Sequence, residues 1–289
     1  MPNWRTRAVT ATGSPVQVAV TDGRRTGSDR TFIVVQGFRS WVEPFEMQRF
    51  QLMARALHAR LVVVEVPGFG VAGSRLSRRE RLALLAGDFG PLAERMFDAA
   101  ATVLGDVHNR PLSFLGYSMG ASLAASMAAV GLRRRLDVDA VVLVEPVAIH
   151  RWRLRELVAA TRREDRLIDA YVAANDHVAD AAAPWVDRLG VRPPTNRRVD
   201  LLLLGGALRH GGLGRDLRAS DMRPRQVIVV RGDRSALSDA AYAPTLAGLR
   251  ERGVETAEVV VPGHHAFWHS LPAVGDMADR LRDVLDPSP

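Results

Sequence analysis

The apolar positions of this chain fall mostly into short unbroken runs: "TFIVVQG", "RLVVVEVPGFG", "PLSFLG", "VDAVVLVEP", "QVIVVRGD" and "TAEVVVPG". Runs of this length bounded by Gly and Pro predict strands buried on both faces rather than half-solvated ones. Between them, apolar residues recur at helical spacing over 46–58, over 76–105 with a break at "GDFGP", and over 118–131, 238–252 and 272–285. Ahead of the first run, "TRAVTAT" and "VQVAVTD" flank Gly13-Ser14-Pro15, which predicts a β-hairpin. Strands alternating with helices predict an α/β architecture, a mostly parallel central sheet flanked by helices.

The alternation stops between Ile149 and Met222. There the chain is Arg- and Ala-rich with helical periodicity, then broken by glycine in "RVDLLLLGGALRHGGLGRDLRA". The expected organisation is an α/β core from 1–148 and 223–289, with a mainly helical insertion, or cap, at 149–222 over the C-terminal edge of the sheet. Trp152, Tyr171 and Trp185 in that segment are apolar enough to line a pocket, although packing between helices is the commoner use of such residues.

Composition narrows the class. The 289 residues are 47% hydrophobic and 25% charged, enough to bury a sizeable core. No run of apolar residues is long enough for a transmembrane helix, and the opening "MPNWRTRAVTATG" has no apolar signal region. A cytoplasmic protein without membrane partners is therefore expected. Cysteine is absent, which excludes disulfides, thiol catalysis and Cys-ligated metal.

The net charge is +7, and every basic residue is arginine. Stretches such as "RRERLA" and "TRREDRLID" interleave arginine with acid, the pattern of solvated helix faces rather than of a nucleic-acid surface. The run Arg133–Arg135 suits a helix C-terminus, where positive charge is favoured.

One stretch carries chemistry. "FLGYSMGASLAA" places Ser118 between Gly116 and Gly120, after an apolar strand and before a helix rich in small residues. A strand-to-helix turn this sharp brings the residues two before and two after the serine together, so both must be small. It lifts Oγ above the sheet at a helix N-terminus, where a developing anion is favoured. A serine hydroxyl needs a base. "VVVPGHHAFWHSLP" offers one in the loop after the last strand. His265, seven residues before Pro272, is preferred, and His264 is the alternative. His269 is read as an entrance or supporting residue. Oxyanion donors are expected from the backbone N–H groups of Met119, next to the serine, and of Phe38, in the turn after "FIVVQG".

Taken together these segments resemble the α/β-hydrolase superfamily over nearly the whole chain. "VVQGF" is similar to its oxyanion turn, with Gln36 in the usual histidine place. "EVPGFG" is similar to its Asp-x-Pro-Gly-x-Gly stretch, with Glu65 for the aspartate. "GYSMGAS" matches its nucleophile elbow, and "GHHAFWHSLP" its histidine segment. The resemblance implies a Ser–acid–His triad and a cap that shapes the pocket.

The family's usual acid lies three residues beyond a glycine after the strand that follows the cap. Here that position is Ser235. Asp233 and Asp239 lie nearby. Some relatives resemble a different scheme, with the acid at the end of the preceding strand, which in this chain is Glu145. Glu145 is the preferred acid and Asp233 the alternative, with Asp239 behind them. The other reading of Glu145 is an ion pair with Arg151 or Arg153 that anchors the cap.

The implied activity is hydrolysis of small-molecule carboxylic esters or thioesters through an acyl-enzyme, with no metal or organic cofactor. C–C bond hydrolysis or acyl transfer could use the same parts. A ligand-binding protein without catalysis is the reading from another class. Nothing in the sequence sets the oligomeric state.

Overall fold

The computed structural model describes residues 4–10, 13–25, 29–42, 44–174, 197–238 and 242–286, the side chains of 44–45 and 168–174 apart. Strands β1 (Trp4–Val9) and β2 (Val16–Asp22) form the expected antiparallel hairpin, with Val9 opposite Val16. Then follow β3 (Thr31–Val35), α1 (Pro44–Ala56), β4 (Arg60–Val64), α2 (Arg78–Leu85), α3 (Gly90–Leu104), β5 (Leu112–Tyr117), α4 (Met119–Arg133) and β6 (Val138–Val144). After β6 come α5 (Leu154–Ala174), α6 (Arg198–Ala207), α7 (Gly212–Arg218), β7 (Gln226–Gly232), α8 (Ala243–Arg250) and β8 (Glu255–Val261). A 3-10 turn (His265–His269) and α9 (Leu271–Leu285) close the chain.

The eight strands form one sheet in the order β1-β2-β4-β3-β5-β6-β7-β8. β2 pairs antiparallel with both β1 and β4, and from β4 across to β8 every pairing is parallel. The unbroken apolar runs have a direct cause. Along β3, Ile33 and Val35 join the core under α3 and α4, while Phe32 and Val34 join the core under α1 and α9. Alternate side chains of a strand point to opposite faces, and here both faces are dry.

The helix after β7 is shorter than its periodicity predicts, with Pro244 in its first turn. At the far end of the preceding face, α4 stops at Arg133, and Arg134 reaches Asp98 at 2.6 Å. Between β6 and β7, α6 lies against α2, and α7 lies against α4 and α8. No helix among the described residues is long and apolar enough to cross a membrane.

In the sheet β3 lies between β4 and β5, so the connections leaving β3 and β5 diverge to opposite faces. That divergence leaves a crevice at the strands' carboxyl ends. The turn carrying Phe38 and the turn carrying Ser118 both open there.

Candidate active site

Ser118 sits between β5 and α4 with φ 56° and ψ −119°, a conformation L-residues rarely adopt. The two flanking glycines make it possible. A Cβ on Gly116 would lie 2.1 Å from the Gly120 carbonyl oxygen, and one on Gly120 would lie 2.3 Å from the Val35 oxygen. The Ser118 N–H donates to Val144 O at 2.8 Å, which ties the turn to the end of β6.

The structure brings three of the predicted side chains into line. Ser118 Oγ is 3.0 Å from His265 Nε2, and His265 Nδ1 is 2.9 Å from Glu145 Oε2. Glu145 is fully buried and follows β6 directly, with φ 51°. Its Oε1 accepts the Gly232 N–H, and its Oε2 also accepts the Ser235 hydroxyl at 2.6 Å. A buried carboxylate must be compensated, and donors that favour the ionised form do this. The alternative reading of Glu145 as a partner of Arg151 or Arg153 finds no support: both arginines are exposed while Glu145 is fully buried, and Arg153 lies 3.8 Å from Glu156.

Asp233, the alternative acid, is half exposed and lies elsewhere in the network. Its carboxylate accepts the Gly263 N–H at 2.8 Å and pairs with Arg234 at 3.4 Å. The Gly263 hydrogen bond, with Arg234 beside it, holds its pKa below the usual carboxylate range. Asp239 lies outside the described residues, as do Trp185 and the side chain of Tyr171. His264 faces α5: its Nδ1 accepts the Ala266 N–H and lies 3.3 Å from Glu164 Oε2. Trp152 donates its indole N–H to Val147 O at 2.7 Å.

Of the oxyanion candidates, Met119 follows the serine directly and Phe38 lies in a turn that packs against it. Met119 is the first residue of α4, where no preceding helical carbonyl can take its N–H. In the turn after β3, a Cβ on Gly37 would lie 2.9 Å from the Tyr117 ring and 3.5 Å from Ser118 Cβ, so this turn presses against the serine. Gln36 is buried and braces the turn by donating to Trp41 O at 3.2 Å. Phe38 packs edge-on against Phe69 with ring centres 6.0 Å apart, and α6 passes over it at Gly205. Glu65 is buried behind the turn and accepts the N–H groups of Val42 and Ala72, each at 3.2 Å. Burial pushes its carboxyl pKa up, against the pull of those hydrogen bonds.

Three side chains that sequence reasoning passed over also act here. Tyr117 donates its hydroxyl to the His265 carbonyl at 2.9 Å. Its ring lies between His265 and Trp268, at 5.2 and 4.5 Å. Burial, with the Glu145 charge nearby, raises its hydroxyl well above the usual phenol range. Tyr117 is an unconstrained position of G-x-S-x-G, so the motif gave no signal for it. Ser235 did carry a signal, as the residue three beyond Gly232. Glu164 was one acid among many in a charged helix.

The arrangement can hold a nucleophile, a base and a carboxylate in one line. Among the described residues no three His, Asp or Glu side chains group so as to hold a metal ion.

A family model described as an alpha/beta hydrolase family matches residues 32–283. No curated protein matches the chain. Among solved structures, a hyperthermophilic esterase from the archaeon Pyrobaculum calidifontis is similar at 18% identity and TM-score 0.61, covering 98% of this chain and 85% of that one. A thioesterase domain from the curacin biosynthetic pathway is similar at 16% identity and TM-score 0.51, with 99% of both chains covered. A lipase in its open form is similar at 13% identity and TM-score 0.59, with 98% of both chains covered. At these identities the likeness is one of fold.

Proposed function

The chain belongs to the α/β-hydrolase family, and on that footing we propose that it is a serine hydrolase of carboxylic esters or thioesters. One observation carries the reading: the unbroken line from Glu145 Oε2 through His265 to Ser118 Oγ, with contacts of 2.9 and 3.0 Å.

In this reading Ser118 Oγ attacks the acyl carbon and its proton passes to His265 Nε2. Glu145 holds the imidazole with Nδ1–H toward itself and stabilises the cation that forms. The N–H groups of Phe38 and Met119 receive the oxyanion, where one such donor is typically worth about a hundredfold or more in rate. Collapse of the tetrahedral intermediate expels the alkoxide or thiolate, which takes the proton from His265. Water then attacks the acyl-enzyme with His265 as base, and the acid leaves as Ser118 is regenerated.

The substrate in this proposal is a small acyl compound, and the segment 149–222 is the cap that shapes its pocket. The esterase and thioesterase-domain likenesses fit this substrate class without choosing within it.

The test is reaction of the purified protein and its Ser118→Ala variant with a fluorophosphonate probe, alongside turnover of p-nitrophenyl esters and acyl thioesters. Labelling and turnover by the wild type alone are expected. A folded wild type that neither labels nor turns over any ester would leave a ligand-binding protein as the better reading.

A further inference from the structure

Helix α5 exposes most of its charged residues, yet one of its carboxylates is buried. Arg162, Arg163, Asp165 and Arg166 face solvent, while Glu164 is 1% exposed. It lies two turns beyond Leu157, on the stripe that faces inward. An apolar residue would fill that place without the cost of burying a carboxyl group. What Glu164 meets there explains its chemistry. Oε1 accepts the Ala236 N–H at 2.6 Å, and Oε2, without a hydrogen bond of its own, packs 3.3 Å from His264 Nδ1, which accepts the Ala266 N–H.

These two contacts fall on the two loops that assemble the active site. Ala236 follows Ser235, whose hydroxyl holds Glu145. His264 precedes His265, whose ring links Glu145 to Ser118. The loops also bind each other, through Arg234 N–H to Gly263 O and through Gly263 N–H to Asp233 Oδ1, each at 2.8 Å. From a helix outside the sheet layers, Glu164 adds a hydrogen bond to the loop beside the acid and a close packing contact with the residue before the base.

We propose that Glu164 is a positioning residue that makes the Glu145–His265–Ser118 line depend on the seating of α5. The inference rests on the serine-hydrolase reading above. It goes further by making this helix part of what activates the serine, besides any part it has in shaping the pocket. A loop displaced by even one ångström loses near-attack geometry, so the expected loss is in reactivity of the serine rather than in binding.

The experiment compares Glu164→Leu, Glu164→Asp and Glu164→Gln with the wild type. Fluorophosphonate inactivation rates are read together with kcat and KM for p-nitrophenyl butyrate, and thermal melts establish that each variant is folded. Leu is apolar and cannot make either contact. Asp keeps the charge but is too short to span both loops. Gln keeps the length and polarity for both.

The result expected is a fall of roughly tenfold for Leu, and roughly threefold for Asp, in both inactivation rate and kcat, with KM little changed and Gln close to wild type. Should Leu not fold, the Asp variant decides by the same readings. A folded Leu or Asp variant that labels at the wild-type rate overturns the inference, as does a loss confined to KM. If the wild type itself does not label, the serine-hydrolase reading falls and this inference with it. Normal wild-type labelling with unaffected variants removes this inference alone.

Discussion

Ser235 Oγ lies 2.6 Å from Glu145 Oε2, the same oxygen that His265 Nδ1 faces at 2.9 Å. Backbone N–H groups of Leu237 and Ser238 donate to this hydroxyl at 3.3 and 3.1 Å. With its lone pairs so occupied, its single proton points to the carboxylate. Where the family usually carries an acid, this chain carries a donor to an acid placed one strand earlier. Ser235→Ala is expected to lower kcat about tenfold by loosening Glu145, and Ser235→Thr to retain most of the activity. In a Glu145→Gln background the same Ser235→Ala change should cost little, because residues acting as one unit are not additive. Full additivity in this double-mutant cycle would mean that Ser235 acts independently of Glu145.

Glu145 and Asp233 separate cleanly by their partners. Glu145→Gln should lower kcat by roughly a hundredfold to ten-thousandfold with KM little changed, since the amide no longer fixes the tautomer or stabilises the imidazolium. Asp233→Asn keeps an oxygen for the Gly263 N–H in a half-exposed place and should stay within about threefold of wild type. Steady-state kinetics on one chromogenic ester decides the matter. The reverse ranking would move the acid to Asp233 and leave the buried network around Glu145 without a catalytic purpose.

Much of the fold was legible because one physical rule governs it. A parallel strand covered on both faces must be apolar at successive positions, and β3 to β7 read that way in the chain. The elbow was legible for a similarly hard reason, since its glycines meet backbone oxygens that no side chain could share. The carboxylate was less so. Glu145, Asp233 and Asp239 all lie close in sequence to strand ends, and only the approach of Oε2 to His265 separates Glu145 from Asp233. Tyr117 and Glu164 were silent for the opposite reason: their partners, the His265 carbonyl and the Ala236 N–H, are backbone atoms that leave no mark on the sequence.

The glycines of the two turns should respond differently to alanine. At Gly120 the new methyl would sit 2.3 Å from Val35 O and 2.5 Å from Gln36 O, both backbone atoms that cannot swing away. Gly120→Ala should therefore cost several kcal/mol, in order of magnitude, and compromise folding. At Gly37 the nearest atoms belong to the Tyr117 ring, at 2.9 and 3.1 Å, which is held between His265 and Trp268, so the surface turn gives way instead. Gly37→Ala should fold, yet push the turn bearing the Phe38 N–H off Ser118 and lower kcat by roughly tenfold or more. Melting curves and kinetics of the two variants test this together. A fully active Gly37→Ala protein would argue against Phe38 as an oxyanion donor.

His269 is expected to give the fold a pH dependence of its own. It lies in the turn between His265 and α9, mostly buried, with Nδ1 3.5 Å from an Arg49 nitrogen. Arg49 in turn pairs with Glu46 at 2.5 Å, and the Trp268 indole N–H reaches Glu46 at 3.4 Å. Burial first, and then the Arg49 charge, lower the imidazole pKa to about 4. The unfolded chain takes up this proton near pH 6.5 and the folded chain only near pH 4, so between those values the unfolded state binds more protons. The neutral ring thus contributes stability in full above pH 6.5, which is lost as pH falls toward and through 4. The ceiling is about 3 kcal/mol, lowered by the ring's residual exposure. His269→Asn keeps an acceptor toward Arg49 but cannot titrate, so its melting temperature should fall less steeply than the wild type's over that window. Parallel melting curves for the two proteins from pH 7 to pH 4 would show that His269 is not the group responsible.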